Sequence, residues 1–290
     1  PTLLVTGAAG HLGRRVLEIL LDVPGDRTLV ATTRRPAALA DLAARGVVVR
    51  AADFDDEAGL DVAFAGVERA LLISTDTLDG TGRRIAQHQA AIRALGRAGV
   101  QHLVYTSCPA APSLGPIAAD HRATEAALQA STLDFTVLRN NLYAELLLAT
   151  LPRAIATGSL VDARGDGAVA WICRDDCARV AAAMLLEAAL GRRAVDVAGS
   201  VALTSRELAA LATEVCGRPV AHAPVAEAAL VAGMVAGGLP EPVAQAYAGF
   251  DRAIANGELA RTSTAVERLT GTPPRAVREF VLANRAALLG

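Results

Sequence analysis

The strongest constraint on this chain is an alternation that runs through its first half. Short apolar, β-branched runs at Thr2–Thr6, Thr28–Thr33, Val47–Ala51, Arg69–Ser74, His102–Ser107 and Asp134–Arg139 read as strands. Between them lie segments of helical length at His11–Asp22, Pro36–Arg45, Glu57–Ala65, Thr81–Ala98 and Ile117–Ala130. Strands that are apolar throughout are buried on both faces, so they belong to a parallel sheet covered by helices on either side. Right-handed crossovers then give an α/β fold, a Rossmann-like doubly wound sheet. After Arg139 helical patterns dominate: Tyr143–Ala156, Asp176–Ala189, Ser205–Cys216, Ala226–Gly237, Pro242–Asn256 and Ala276–Ala287, with a short extended piece at Ala194–Val197. We expect a Rossmann domain over 1–140, with later strands interleaved, and a mainly helical lobe over 141–290 that is not an independent domain.

The first crossover carries the chemistry. Leu3–Val5 runs into Thr6-Gly7-Ala8-Ala9-Gly10-His11-Leu12-Gly13 and then into an amphipathic segment. In T-G-x-x-G-x-x-G the first glycine permits a tight turn, the second lets backbone amides approach a pyrophosphate, and the third lets the helix pack against the strand. After a strand, before a helix and inside a βαβ unit, the pattern indicates dinucleotide binding. Gly7, Ala9, Gly10, His11, Leu12 and Gly13 are the expected contacts. The second strand ends Thr33-Arg34-Arg35-Pro36, with no acid to accept bonds from ribose hydroxyls. Arg34 there can fork onto a 2′-phosphate, so NADP(H) is expected in preference to NAD(H); Arg35 is read as a solvated charge. Asp53 and Phe54 follow the third strand, where they can flank the adenine, although Asp53 can equally cap the next helix. Ser74 and Thr75 follow the fourth, near the expected nicotinamide ribose.

One count narrows the reaction. The chain has no lysine: all 28 of its Lys+Arg residues are arginine. Arginine stays protonated at any working pH, which removes Walker-type nucleotide chemistry, imine chemistry and a lysine-assisted tyrosine acid. A net charge of −2 gives no electrostatic footprint for nucleic acid or an anionic membrane. The four cysteines, Cys108, Cys173, Cys177 and Cys216, form no Cys-x-x-Cys pair and no metal set, so no metal is expected. With no leader read at the start and no apolar run of bilayer length, a cytoplasmic protein is expected.

The stretches TGAAGHLG, ATTRRP, GVVVRAADFDD, GVERALLIS, AGVQHLVYTS, HRATE, LRNNLYAE, RDDCARVAAAML and GLPEP together resemble the NmrA-like branch of the atypical short-chain dehydrogenases. The chain is most similar to that branch's bacterial NADPH:quinone oxidoreductases and triphenylmethane reductases, along nearly its whole length. The resemblance implies an NADPH-binding sheet, a small C-terminal lobe and a substrate held between them. It matches Gly7, Gly10, His11, Leu12, Arg34, Ser74, Thr75, Arg139 and Asn140 to cofactor positions. Tyr105 and Thr106, at the end of the fifth strand, are counted with them.

A short-chain dehydrogenase would carry Tyr-x-x-x-Lys where this chain has Ile117 and His121. His121 can bind a ribose hydroxyl or substrate, donate a proton, or hydrogen-bond locally to shape the site. Tyr105, Ser107 and Tyr143 offer hydroxyls; Tyr105 is as readily a packing residue. His121 and Tyr143 are the catalytic candidates, and Asn141, Leu142, Tyr143 and Trp171 the substrate candidates. Trp171 either stacks on a flat acceptor or plugs the lobe. His88, His102 and His222 are read as structural.

Reduction of an ordinary ketone needs a prompt proton, and general acid catalysis is worth on the order of 10²–10⁴-fold. A quinone or a delocalised dye cation spreads or neutralises the arriving charge, so positioning alone can carry the reaction. We therefore expect an NADPH-dependent oxidoreductase that passes hydride directly to a conjugated small-molecule acceptor. The alternatives are an NADP(H) redox sensor without turnover and a carbonyl reductase with a substitute acid. No nucleic-acid or membrane partner is expected, and a homodimer is possible.

Overall fold

The computed structural model describes residues 1–77, 80–187 and 191–290. In chain order the first half runs β1 (Thr2–Val5), α1 (His11–Asp22), β2 (Thr28–Thr33), α2 (Ala40–Ala44), β3 (Val48–Ala51), α3 (Glu57–Ala63), β4 (Arg69–Leu72), α4 (Arg83–Arg97), β5 (His102–Ser107), α5 (Pro116–Ala130) and β6 (Asp134–Asn140). The second half runs α6 (Leu147–Thr157), β7 (Ser159–Asp162), β8 (Ala168–Val169), α7 (Arg174–Leu186), β9 (Arg192–Val197), β10 (Leu203–Thr204), α8 (Ser205–Cys216) and β11 (Ala221–Pro224). Five helices close it: α9 (Glu227–Ala236), α10 (Glu241–Ala255), α11 (Ala265–Thr270), α12 (Val277–Ala283) and α13 (Arg285–Leu289).

Seven strands form one sheet in the order β3-β2-β1-β4-β5-β6-β9. Pairings β1–β2, β2–β3, β1–β4, β4–β5 and β5–β6 are parallel, with Val5 opposite both Ala31 and Leu71. The chain moves outward from β1 to β3 and then returns to place β4 on the other side. That reversal puts the topological switch point at the carboxyl ends of β1 and β4, where such sheets bind ligands. The expected Rossmann-like class is the fold observed.

The chain divides into two compact units: Pro1–Cys108 with Ala119–Arg139 and Cys177–Asp196, and Pro109–Ala118 with Asn140–Asp176 and Val197–Gly290. In the first unit, α3 and α4 bury Leu60, Phe64, Ala91 and Leu95 against Leu103, Tyr105 and Phe135 of the sheet. Two phenylalanines and a tyrosine thus serve a core otherwise built from Ala, Val and Leu. The second unit holds two small sheets, the parallel pair β7–β11 and the antiparallel pair β8–β10. There the buried Asp251 carboxylate accepts from Ala163 N (2.9 Å) and from Arg164 Nε (2.7 Å). No helix among the described residues is long and apolar enough to cross a membrane.

Several expected elements are redrawn. The helix expected over Ala276–Ala287 breaks at Asn284, whose side-chain amide donates to Phe280 O (2.8 Å). The segment from Pro36 begins as a 3₁₀ turn to Leu39 before α2. The extended piece near Ala194 is β9, the seventh strand of the main sheet. The small strands β7, β8, β10 and β11 carry no periodic signal, because two to four residues are too few to show one. The expected end of the α7 helix at Ala189 lies outside the described residues.

Candidate active site

The glycine loop fits a dinucleotide for steric reasons that can be stated atom by atom. Gly7 has φ +58°, a left-handed conformation that disfavours any side chain. A Cβ on Gly13 would lie 2.7 Å from Gly7 O and 2.9 Å from Ala8 Cα, so α1 can pack this closely only with glycine there. Gly10 N–H donates to Gly7 O (2.9 Å), which closes the turn. Gly7, Gly10 and His11 are exposed, Ala9 is half-buried, and Leu12 packs inward. No side chain caps α1, so the N–H groups of its first turn and its positive dipole end are left for an anionic ligand.

At the end of β2, Arg34 and Arg35 are exposed and form no ion pair among the described residues. Arg14 braces the turn behind them, donating to Ala38 O (2.8 Å) and pairing with Asp41. Arg34 lies near enough to Asp55 to contribute to that carboxyl's lowered pKa, but the main partner is Arg83, followed by Gln87. Arg83 is committed to a carboxylate and Arg34 is not. Exposed Asp53 accepts from Asp55 N (3.1 Å), while the cap of α3 is Asp56, which accepts from Gly59 N (3.0 Å). The capping role allowed for Asp53 therefore belongs to Asp56. Phe54 is half-buried against the core.

The segment after β4 is pinned from behind, one amide at a time. Ile73 N–H donates to Thr6 Oγ1 (2.9 Å), Ser74 N–H to Thr106 Oγ1 (2.9 Å) and Thr75 N–H to His88 Nε2 (3.0 Å). Three side chains, from the turn after β1, from β5 and from α4, thus fix this backbone, while Ser74 and Thr75 stay half-exposed. Because His88 Nε2 accepts, the proton sits on Nδ1 and is donated to Thr124 Oγ1 (2.9 Å), which in turn donates to Asp120 O (2.9 Å). Burial, helped by Arg84, holds the His88 pKa down at about 3.

His121 is also fully committed. Arg84 Nη2 lies 3.0 Å from its Nε2, and Tyr105 Oη 2.8 Å from its Nδ1. A guanidinium can only donate, so Nε2 accepts and the Nδ1 proton is directed at Tyr105. Burial first, then Arg84 and His88, bring the His121 pKa down to about 3. Tyr105 is 0 % exposed, and burial raises its phenol well above the usual range. This is the geometry of the packing residue allowed for Tyr105, with its hydroxyl satisfied inside the unit. Neither group offers a mobile proton near neutral pH.

The paired motifs HRATE and LRN explain each other. Glu125 receives Arg139 Nη2 (2.6 Å) and Nε (3.2 Å), and also accepts from Ser107 Oγ (2.6 Å). Arg139 is thus a strut beneath the end of β5. In the second unit, Asn140 Nδ2 is 3.4 Å from the Tyr143 hydroxyl, while Asn140 Oδ1 is buried with no hydrogen-bond partner among the described residues. Asn141 is buried with its amide spent locally: Nδ2 donates to Leu259 O (3.0 Å) and Oδ1 accepts from Leu142 N (2.8 Å). Leu142 and Tyr143 are half-exposed, and the Arg174 guanidinium sits 5.1 Å above the Tyr143 ring. Trp171 is 3 % exposed, its Nε1 without a partner among the described residues, which is the geometry of a plug.

The sequence reading missed Thr6, Arg84 and Thr124 and set His88 aside as structural. The available signal was polar residues at i, i+4 (Arg84, His88) and i, i+3 (His121, Thr124) on the buried faces of helices rich in alanine. Remaining polar there, such residues must be satisfying one another.

A model of the NAD(P)H-binding family matches residues 7–188. The chain is 38 % identical to quinone oxidoreductase 2 of Escherichia coli (strain K12), over 96 % of each sequence. The solved structure of an NADPH-dependent quinone oxidoreductase of E. coli complexed with NADPH superposes with a TM-score of 0.89, at 38 % identity, covering 96 % of this chain and 98 % of that one. The triphenylmethane reductase of Citrobacter sp. gives 0.88 at 33 % identity, covering 99 % of both chains.

Proposed function

The chain belongs to the NAD(P)H-binding family, and from that premise we propose that it is an NADPH-dependent reductase of quinones and similarly conjugated acceptors, working by direct hydride transfer. Bound NADPH supplies the hydride. The glycine loop and the open first turn of α1 receive the pyrophosphate, and Arg34 binds the 2′-phosphate in preference to Arg83, which Asp55 holds. Ser74 and Thr75, fixed through Thr6, Thr106 and His88, line the nicotinamide ribose. Leu142 and Tyr143 contact the acceptor, with Asn140, Asn141 and Arg139 supporting the strand end that leads to them.

The observation that carries this reading is the commitment of His121. Where a ketone reductase keeps a tyrosine–lysine acid, this chain has an isoleucine and a neutral histidine whose two nitrogens are both engaged. Without an acid worth on the order of 10²–10⁴-fold, alkoxide formation is disfavoured. An acceptor that delocalises the incoming charge is not penalised, and its protons come from water. Supporting this class are the relatives above, named for reducing quinones and triphenylmethane dyes.

The test is NADPH oxidation with a panel: a benzoquinone, a naphthoquinone, a triphenylmethane dye and simple ketones. Turnover with the first three and none with ketones is expected. Tight NADPH binding with no turnover on any of them would replace this reading with a redox sensor.

A further inference from the structure

Arg84 is an anomaly for a residue so far inside. It is 6 % exposed; its Nε and Nη1 are buried without a hydrogen-bond partner among the described residues, and the nearest carboxylate, Asp120, is 3.9 Å from Nη1. Burying a cation with so few partners is costly, and an aliphatic side chain could fill the same space without that cost. Among the described residues, the one hydrogen bond it makes is to His121 Nε2. A donor-only group in that place eliminates one imidazole tautomer and opposes the imidazolium.

From there the contacts continue through the ring of Tyr105. His121 Nδ1 meets Tyr105 Oη (2.8 Å), the Tyr105 ring packs edge-on against the His88 ring with centroids 5.6 Å apart, His88 Nδ1 is held by Thr124 (2.9 Å), and His88 Nε2 holds Thr75 N (3.0 Å). We propose that Arg84 is a positioning residue that stands in for the absent lysine: it locks His121 in the neutral Nδ1–H form and, through Tyr105 and His88, sets the Thr75 end of the segment that receives the cofactor. The last clause rests on the cofactor reading given above. The lock itself does not. The charged and titratable groups around His121 are Arg84 and His88 from α4, Tyr105 and Cys108 at the end of β5, and Asp120 and Glu125 of its own helix. Among these Arg84 is the one whose hydrogen bond fills Nε2.

The experiment is a histidine ring ¹H–¹⁵N titration of the protein without cofactor, paired with NADPH affinity by fluorescence, for wild type, R84M, R84Q and R84K. Wild-type His121 and His88 should remain neutral Nδ1–H tautomers from about pH 5 to about pH 9, and NADPH affinity should lack a His121 transition. In R84M, Nε2 loses its donor, so the Nε2–H tautomer of His121 should appear beside the Nδ1–H form, and NADPH affinity should weaken by about tenfold. R84K, a donor that keeps the charge, should restore the single Nδ1–H tautomer. If R84M does not fold, R84Q carries the test, since losing the charge should raise the His121 pKa above that of wild type. A wild-type His121 that titrates at its ordinary value overturns the lock. So does an R84M His121 that stays wholly in the Nδ1–H form with NADPH affinity unchanged. If the ring spectra change as expected while neither protein binds NADPH, the cofactor reading fails and the lock stands.

Discussion

At the scale of single residues, the proposed preference for NADPH rests on which arginine is free. Arg83 and Arg34 both influence Asp55, but only Arg83 is bonded to it. Arg34→Ala should therefore weaken NADPH binding by about 2 kcal/mol, roughly 30-fold, as expected for lost charge-assisted bonds to a phosphate. NADH binding should hardly change; isothermal titration with both nucleotides checks this. Gly13→Ala presses a methyl group to 2.7 Å from Gly7 O. Since backbone cannot yield as a side-chain tip does, it should destabilise the fold by about 1–3 kcal/mol and weaken NADPH binding, read by denaturant midpoint and titration.

At the scale of elements, the segment after β4 shows how a loop can be made rigid without being a strand. Each of its first three amides is held by a side chain from a different element. Thr106→Val removes the partner of the Ser74 N–H at a half-buried site, which should cost about 1 kcal/mol. The KM for NADPH should rise by about tenfold, with little change in the KM for a quinone; steady-state kinetics with each substrate varied in turn decide it. This scale also shows what the sequence could reveal. The glycine loop, Arg34 and the strand–helix alternation were legible because each rests on local spacing. Asp56 rather than Asp53 as the α3 cap, and Asn141 as a buried strut, were not, because both depend on which side chain a turn aims inward. The pairing of Glu125 with Arg139 lay in two motifs that were each visible, but the contact joins residues that only the fold brings together.

At the scale of the whole molecule, the second unit was the least legible part. Its strands are two to four residues long and pair across dozens of positions, as β7 does with β11, so no periodicity announces them. The first unit carries a global consequence of its buried rings. His88 and His121 have pKa values lowered from 6.5 to about 3. Below pH 6.5 the unfolded chain takes up these protons and the folded chain does not, so stability present above that pH is lost as pH falls toward 3. Each ring should contribute a slope of about 1.4 kcal/mol per pH unit across that window. Urea midpoints should be level from about pH 8 to about pH 7 and fall steadily from about pH 6 to about pH 5.

The central claim is that hydride transfer here proceeds without an acid from the protein. Its most direct test is the single-turnover rate of NADPH oxidation by a benzoquinone across about pH 6 to about pH 9, for wild type and His121→Asn. Wild type should give a level profile. In the variant, the rate can fall through misplacement, but the profile stays level. A wild-type rate that rises or falls through an ionisation near neutral pH, abolished by the substitution, would contradict it.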